Sequence, residues 1–121
     1  MISIVVIGKN EANNLPKLYR SLEPLSIPKE IIYVDSASSD TSVAISQHYA
    51  DTVIQLEDSP HLCAAAGRYV GVLHAKHEWI LFLDGDMELE TDFITFLNAH
   101  EFDRFDANIA GFIGFYRYIY N

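Results

Sequence analysis

The sequence predicts an α/β domain with a mostly parallel sheet between helices, on three observations. Short apolar runs recur at Ile2 to Ile7, Glu30 to Val34, Thr52 to Leu56 and Trp79 to Leu83, each with the length of a buried strand. Segments with apolar residues at helical spacing separate them, as parallel pairing requires, because a parallel partner is reached only through a crossover. Polar loops begin at Gly8, Asp35 and Asp84, and right-handed crossovers bring such strand-end loops to one edge of the sheet. The expected architecture is Rossmann-like, with a cleft at the carboxyl edge of the strands.

The elements follow in order. Ile2 to Ile7 is β-branched apart from Ser3 and closes at Gly8. After the Lys9-Asn10-Glu11 loop, Asn13 or Asn14 can cap a helix whose Leu15, Leu18, Tyr19 and Leu22 share one face up to Pro24. Pro16 falls in its first turn, where a missing N–H costs little. The second strand ends in Asp35, and Asp40 or Thr41 caps a helix with Val43, Ala44, Ile45 and Tyr49 on its inner face. After the third strand and a polar loop at Glu57 to His61, Leu62 to Ala75 reads as a small-residue helix able to pack closely on the sheet. Trp79 to Leu83 is an unbroken apolar run, as in a strand covered on both faces. Thr91 or Asp92 starts a helix through Leu97, and Ile109 to Tyr120 alternates as a last strand.

Composition narrows the function classes. The chain has 121 residues, 50% of them hydrophobic and 21% charged, which suits one globular domain over 1–121 but is short for an enzyme with separate donor and acceptor sites. Continuation beyond residue 121 is expected. Net charge is -9, with 8 Lys and Arg against 17 Asp and Glu, so no basic face is available for nucleic acid. Cys63 is the single cysteine, which excludes an internal disulfide and fits a reducing, cytoplasmic setting. Ile2 to Ile7 is too short for a signal-peptide core or a membrane span. The five histidines form no zinc pattern and read as surface or packing residues.

The chemistry centres on Asp84-Gly85-Asp86. Unpaired charges cannot continue into a buried strand, so Asp84 marks the strand's carboxyl end. Asp-Gly is also common in ordinary turns; what favours a site is the placement at a sheet edge where ligands bind. Gly85 is expected to free the backbone to turn so that both carboxylates face one site. Two carboxylates repel a phosphate by roughly 4 kcal/mol per charge pair at 4 Å and an effective dielectric of about 20, so a cation has to mediate. Hard oxygen ligands select Mg2+ or Mn2+, and Mg2+ is usually held by one or two carboxylates with a substrate phosphate completing its shell.

Asp35 also closes a strand, where it can accept hydrogen bonds from a base or sugar or cap the following turn. Glu11 lies in the first loop, either solvated or in the site. Arg68 on the small-residue helix can meet a diphosphate or the aspartates, or sit on the surface. There is no Walker loop, GxGxxG or GxSxG motif. The residues by themselves support a metal-dependent nucleotide-diphosphate site without naming the transferred group.

Four ordered segments resemble the family-2 glycosyltransferases of the GT-A fold, the nucleotide-diphospho-sugar transferase type, over residues 2 to about 97. Ile4 to Ala12 (IVVIGKNEA) is similar to the family's opening strand and Asn-Glu loop, and Ile32 to Asp40 (IYVDSASSD) to its Asp-x-x-Ser-x-Asp segment. Arg68 to Gly71 (RYVG) is similar to its Arg-Asn-x-Gly helix, and Leu83 to Asp86 (LDGD) to its metal-binding DxD. The resemblance implies that Ile7, Gly8, Glu11, Asp35, Arg68 and Asp84 bind the nucleotide, with Asp35 on the base and Asp84 on the ribose. It implies that Asp86, with Asp84, holds Mn2+ or Mg2+. Ser36, where the family often has aspartate, and Tyr69, where it has asparagine, are departures that bear on base and donor preference.

The implied reaction is inverting transfer of a sugar from a nucleotide diphosphate sugar, with a UDP-sugar as first choice, to a glycan or lipid acceptor. The general base belongs to the acceptor-side half, which residues 98–121 begin; Glu101, Asp103 and Asp106 read instead as a charged helix end. A nucleotidyltransferase on the same aspartates and a non-catalytic nucleotide-sugar-binding fragment are the rivals. The aromatic residues of Ile109 to Tyr120 call for cover, and self-association is the expected outlet. The expected location is cytoplasmic, including the cytoplasmic face of a membrane.

Overall fold

The computed structural model describes residues 1–104 and Gly111. Four parallel strands, β1 (Ile2–Gly8), β2 (Lys29–Ser36), β3 (Thr52–Leu56) and β4 (Trp79–Asp84), form one sheet in the order β3-β2-β1-β4. Helices α1 (Leu15–Leu22), α2 (Ser42–Tyr49), α3 (Ala64–His74) and α4 (Thr91–Asn98) connect and follow them. This is the expected parallel α/β sheet flanked by helices. The sequence's last strand, Ile109 to Tyr120, and Asp106 lie outside the described residues.

β1 is central, and its alternation feeds two cores. Ile2, Ile4 and Val6 join Leu15, Leu18, Tyr19 and Leu22 of α1 and Ile94 and Leu97 of α4. Val5 and Ile7 join Ile32 and Val34 of β2 on the opposite face. A helix of 8 residues such as α1 is unstable alone. Burial of its leucines, roughly 1.5–3 kcal/mol each, therefore holds it in place.

On the second face α3 lies close to the sheet because it carries glycines where it crosses. A Cβ at Gly67 would stand 3.2 Å from Ile7 Cγ2, and one at Gly71 would stand 3.1 Å from Val5 Cγ2 and closer still to Cγ1. α3 thus covers β1 and β2, and β4 differs from expectation: it is the end strand among the described residues, with Leu83 buried but Phe82 42% exposed. An apolar run alone does not separate a central strand from an end strand.

α2 also differs. Its buried residues are Ser42 and Ser46, whereas Ala44 and Tyr49 are exposed. The reason is polar: Tyr19 Oη donates to Ser46 Oγ at 2.7 Å, so the helix needs a small acceptor there rather than a bulky apolar residue. Burial pushes the Tyr19 phenol up to about 12 against the opposing pull of Ser46. Tyr49 remains attached by stacking on Tyr19, with ring centroids 4.8 Å apart.

Candidate functional site

Register places the strand ends side by side. Ile7 pairs with Val34 on one flank and with Asp84 on the other. Side chains alternate across a sheet, so Ile7, Val34 and Asp84 share the face that carries α3, and Ser36 follows Val34 on it. A cleft of about 310 Å³ opens there, lined by Ile7, Gly8, Lys9 and Glu11 after β1, Ser36 at the end of β2, Leu62, Cys63 and Ala64 at the start of α3, and Asp84, Gly85 and Asp86 after β4. Its size suits a small ligand.

The acidic turn is fixed by backbone and by α3. Gly85 N–H donates to Ile7 O at 2.8 Å, and Met87 N–H donates to Asp84 O at 2.9 Å. Gly85 is needed for close approach rather than for a left-handed backbone: no glycine among the described residues has positive φ. A Cβ there would stand 3.0 Å from Glu11 Cγ and 3.3 Å from Ile7 O. Arg68 Nη2 donates to Asp84 Oδ1 at 3.0 Å, with both side chains 40% exposed. Asp86 is exposed at the cleft. Glu11 is half-buried, and its Oε2 accepts from Asn14 Nδ2 at 2.8 Å. Glu11, Asp84, Asp86 and Lys9 thus line one cleft, with Arg68 bound to Asp84.

Asp35 stands apart from this group. It is 1% exposed, on the opposite face of β2 beside Tyr33. Oδ1 accepts from Tyr33 Oη and from Ser38 Oγ, both at 2.7 Å, and Oδ2 accepts from Ser38 N–H at 2.8 Å. Burial, reinforced by the hydrogen bond to Asp35, holds the Tyr33 phenol far above its ordinary range. The residue of this segment that reaches the cleft is Ser36. Of the expected residues, Ile7, Gly8, Glu11, Arg68, Asp84 and Asp86 come together and Asp35 does not. Sequence reasoning missed Ser36 as a lining residue although the alternation of Ile32, Val34 and Ser36 against Tyr33 and Asp35 carried the signal. It also missed Lys9 and the α3 start at Leu62 to Ala64, where adjacency to Gly8 was the only hint for Lys9.

Among the described residues no three His, Cys, Asp or Glu side chains are placed to hold a metal by themselves, and no helix is long and apolar enough to cross a membrane.

The model of Glycosyl transferase family 2 matches residues 3–119. An uncharacterized glycosyltransferase of Haemophilus influenzae is 36% identical over 87 residues, covering 71% of this chain and 29% of the relative. A 4,4'-diaponeurosporenoate glycosyltransferase of Staphylococcus haemolyticus is 27% identical over 95 residues, covering 75% and 25%. The chain therefore spans under a third of the length of these relatives. Among solved structures, S. aureus TarS 1-349 superposes with a TM-score of 0.72 at 24% identity, covering 84% of this chain and 32% of that one, and its complex with UDP-GlcNAc scores 0.69 over the same coverage of this chain and 31% of that one. The mannosyltransferase PcManGT of Pyrobaculum calidifontis, in complex with GDP-Man and Mn2+, scores 0.67 at 21% identity, covering 82% and 31%.

Proposed function

Because the chain belongs to Glycosyl transferase family 2, we propose that its cleft is the donor site of a metal-dependent, inverting transferase that takes a sugar from a nucleotide diphosphate sugar. The observation that carries this reading is the acidic Asp84-Gly85-Asp86 turn at the carboxyl edge of a parallel sheet, with Arg68 3.0 Å from Asp84. UDP-GlcNAc and GDP-Man in the neighbouring structures support a nucleoside diphosphate donor, with UDP as first choice.

The side chains fit a divalent ion that is shared with the ligand. Asp84 and Asp86 offer hard oxygen donors, and two carboxylates are the usual protein share of a Mg2+ or Mn2+ shell that phosphate oxygens complete. When bound, the ion supplies charge stabilisation for the departing diphosphate.

The chain's own residues bind and orient. Ile7, Gly8 and Ser36 form the wall against the nucleoside, and Lys9 and Arg68 offset the charge of the diphosphate. Arg68 also keeps Asp84 in place before ligand arrives. In the transfer, a base removes the acceptor hydroxyl proton, the oxygen forms a bond to the anomeric carbon, and the bond from that carbon to the diphosphate oxygen breaks with inversion. That base, and the glycan or lipid acceptor, belong to the acceptor side of the whole enzyme rather than to the cleft described here.

Calorimetry with UDP, UDP-GlcNAc, GDP-Man and ATP, each with Mn2+ and with chelator, tests the reading. Binding of a nucleoside diphosphate or its sugar that needs Mn2+ is expected. Preference for ATP with a sugar phosphate would assign a nucleotidyltransferase instead.

A further inference from the structure

The loop after β1 forms one wall of the cleft, and its backbone is held from outside by side chains of the loop after β2. Asn10 N–H donates to Ser38 Oγ at 2.8 Å, Glu11 N–H to Ser42 Oγ at 2.9 Å, and Ala12 N–H to Asp40 Oδ2 at 3.1 Å. Three successive amides are thus received by three side chains. The return contact is Ser39 N–H to Asn10 Oδ1 at 2.8 Å, made while Asn10 holds a left-handed φ of 54°.

A serine hydroxyl can accept from an amide only if its own hydrogen points elsewhere. Two aspartates set that direction. Ser38 Oγ donates to Asp35 Oδ1 at 2.7 Å, and Ser42 Oγ donates to Asp40 Oδ1 at 2.6 Å. Three donors converge on Asp35: Tyr33 Oη, Ser38 Oγ and Ser38 N–H. Both of its oxygens accept, so an amide side chain would place a donor against a donor. At 1% exposure such a mismatch has no water to relieve it.

Resting on the nucleotide-site reading above, we propose that Asp35 is a positioning residue and not a base contact. Through Ser38 it aims the acceptor that holds Asn10, and so fixes the Lys9 to Glu11 wall against the Asp84-Gly85-Asp86 turn. Asp40 and Ser42 do the same for Glu11 and Ala12. The wall meets the turn directly: Gly85 N–H donates to Ile7 O at 2.8 Å, and the Glu11 side chain packs over Gly85, with Cγ 3.0 Å from where a Cβ would stand.

The test uses the full chain with Ser38→Ala, Ser38→Thr, Asp35→Asn and Ser36→Ala, read by amide hydrogen exchange at residues 10–12 and by calorimetry with UDP and Mn2+. Ser38→Ala is expected to raise exchange at Asn10 at least roughly tenfold and to weaken UDP roughly fivefold, the factor for one hydrogen bond. Amides of β1 and α1 should keep their rates. Ser38→Thr, which retains the hydroxyl, should restore both readouts, and Ser36→Ala should leave the exchange unchanged. Unchanged exchange at Asn10 in Ser38→Ala overturns the anchoring, and faster exchange with full UDP affinity overturns its link to the cleft. Loss of affinity in Asp35→Asn with wild-type exchange would make Asp35 a direct contact and overturn the proposal. Should Asp35→Asn not fold, Ser38→Ala still decides. If wild type binds no nucleotide at all, the functional reading falls, while the exchange data separately decide the anchoring.

Discussion

Gly71→Ala is expected to destabilise the protein while Gly67→Ala, one helical turn earlier, leaves it nearly unchanged. In an exposed helix either change gains about 1 kcal/mol of helix propensity. The sheet beneath decides the sign. At Gly67 the new methyl stands 3.2 Å from Ile7 Cγ2, a distance that a few tenths of an ångström of relaxation restores. At Gly71 it meets both methyls and the Cβ of Val5, and Val5 is fully buried in the central strand, with no free volume to enter. Overpacking a core costs about 1–3 kcal/mol; taking the upper end for this contact and subtracting the propensity gain leaves a net loss of about 2 kcal/mol. For a domain of this size that lowers Tm by roughly 8 °C. Because α3 also carries Arg68, lifting it should weaken the Asp84 contact and nucleotide binding with it. Thermal and urea unfolding of both variants decide the matter: equal stability of the two, or a Gly71→Ala protein as stable as wild type, would show that α3 does not rest on the sheet as described.

Other outcomes follow from the same geometry. UDP should bind at least tenfold more weakly in chelator than in Mn2+, and Asp86→Asn should reproduce that loss with metal present; calorimetry showing metal-independent binding would remove the acidic turn from the site. Arg68→Ala should weaken UDP by about tenfold, as expected for a charge-assisted contact, yet change stability by under about 1 kcal/mol because the ion pair is exposed; an effect on stability alone would place Arg68 outside the site. Tyr19, pushed up to about 12 from an ordinary value of about 10, holds its proton more tightly when folded. Its contribution is therefore complete below pH 10 and lost as pH rises towards 12. The urea midpoint should fall over that window and fall less in Tyr19→Phe, whereas a flat profile in wild type would contradict the buried phenol.

The fold was legible because its signals were local. β1, β3 and α1 follow directly from residue type and spacing, and the small-residue helix announced its own close packing. Two errors share one cause, which is that hydrophobicity says a residue is buried somewhere without saying against what. Trp79 to Leu83 is as apolar as a central strand, yet among the described residues α3 crosses over β1 and β2 and Phe82 is 42% exposed. Tyr49 on α2 is large and partly apolar, yet beside the core contact of Ile45 the positions of α2 that become fully buried are Ser42 and Ser46, which meet polar groups.

The site was legible to the level of the loop but not always of the residue. Asp84, Asp86, Glu11 and Arg68 were named for the cleft, and the structure brings them together there. Asp35-Ser36 is harder, since adjacent residues at a strand end face opposite sides of the sheet, and one residue of register exchanges their roles. Charge drew the assignment to Asp35, the better ligand. The alternation pointed the other way: Ile32 and Val34 belong to the α3 face, so the next residue on that face is Ser36, while Asp35 follows Tyr33 to the far side. There the buried carboxylate meets three donors, whereas the half-buried Ser36 lines the cleft. Motif position alone therefore does not tell which of two adjacent residues lines the cleft; the period-2 pattern of the strand leading to them places Ser36 on it and Asp35 behind it.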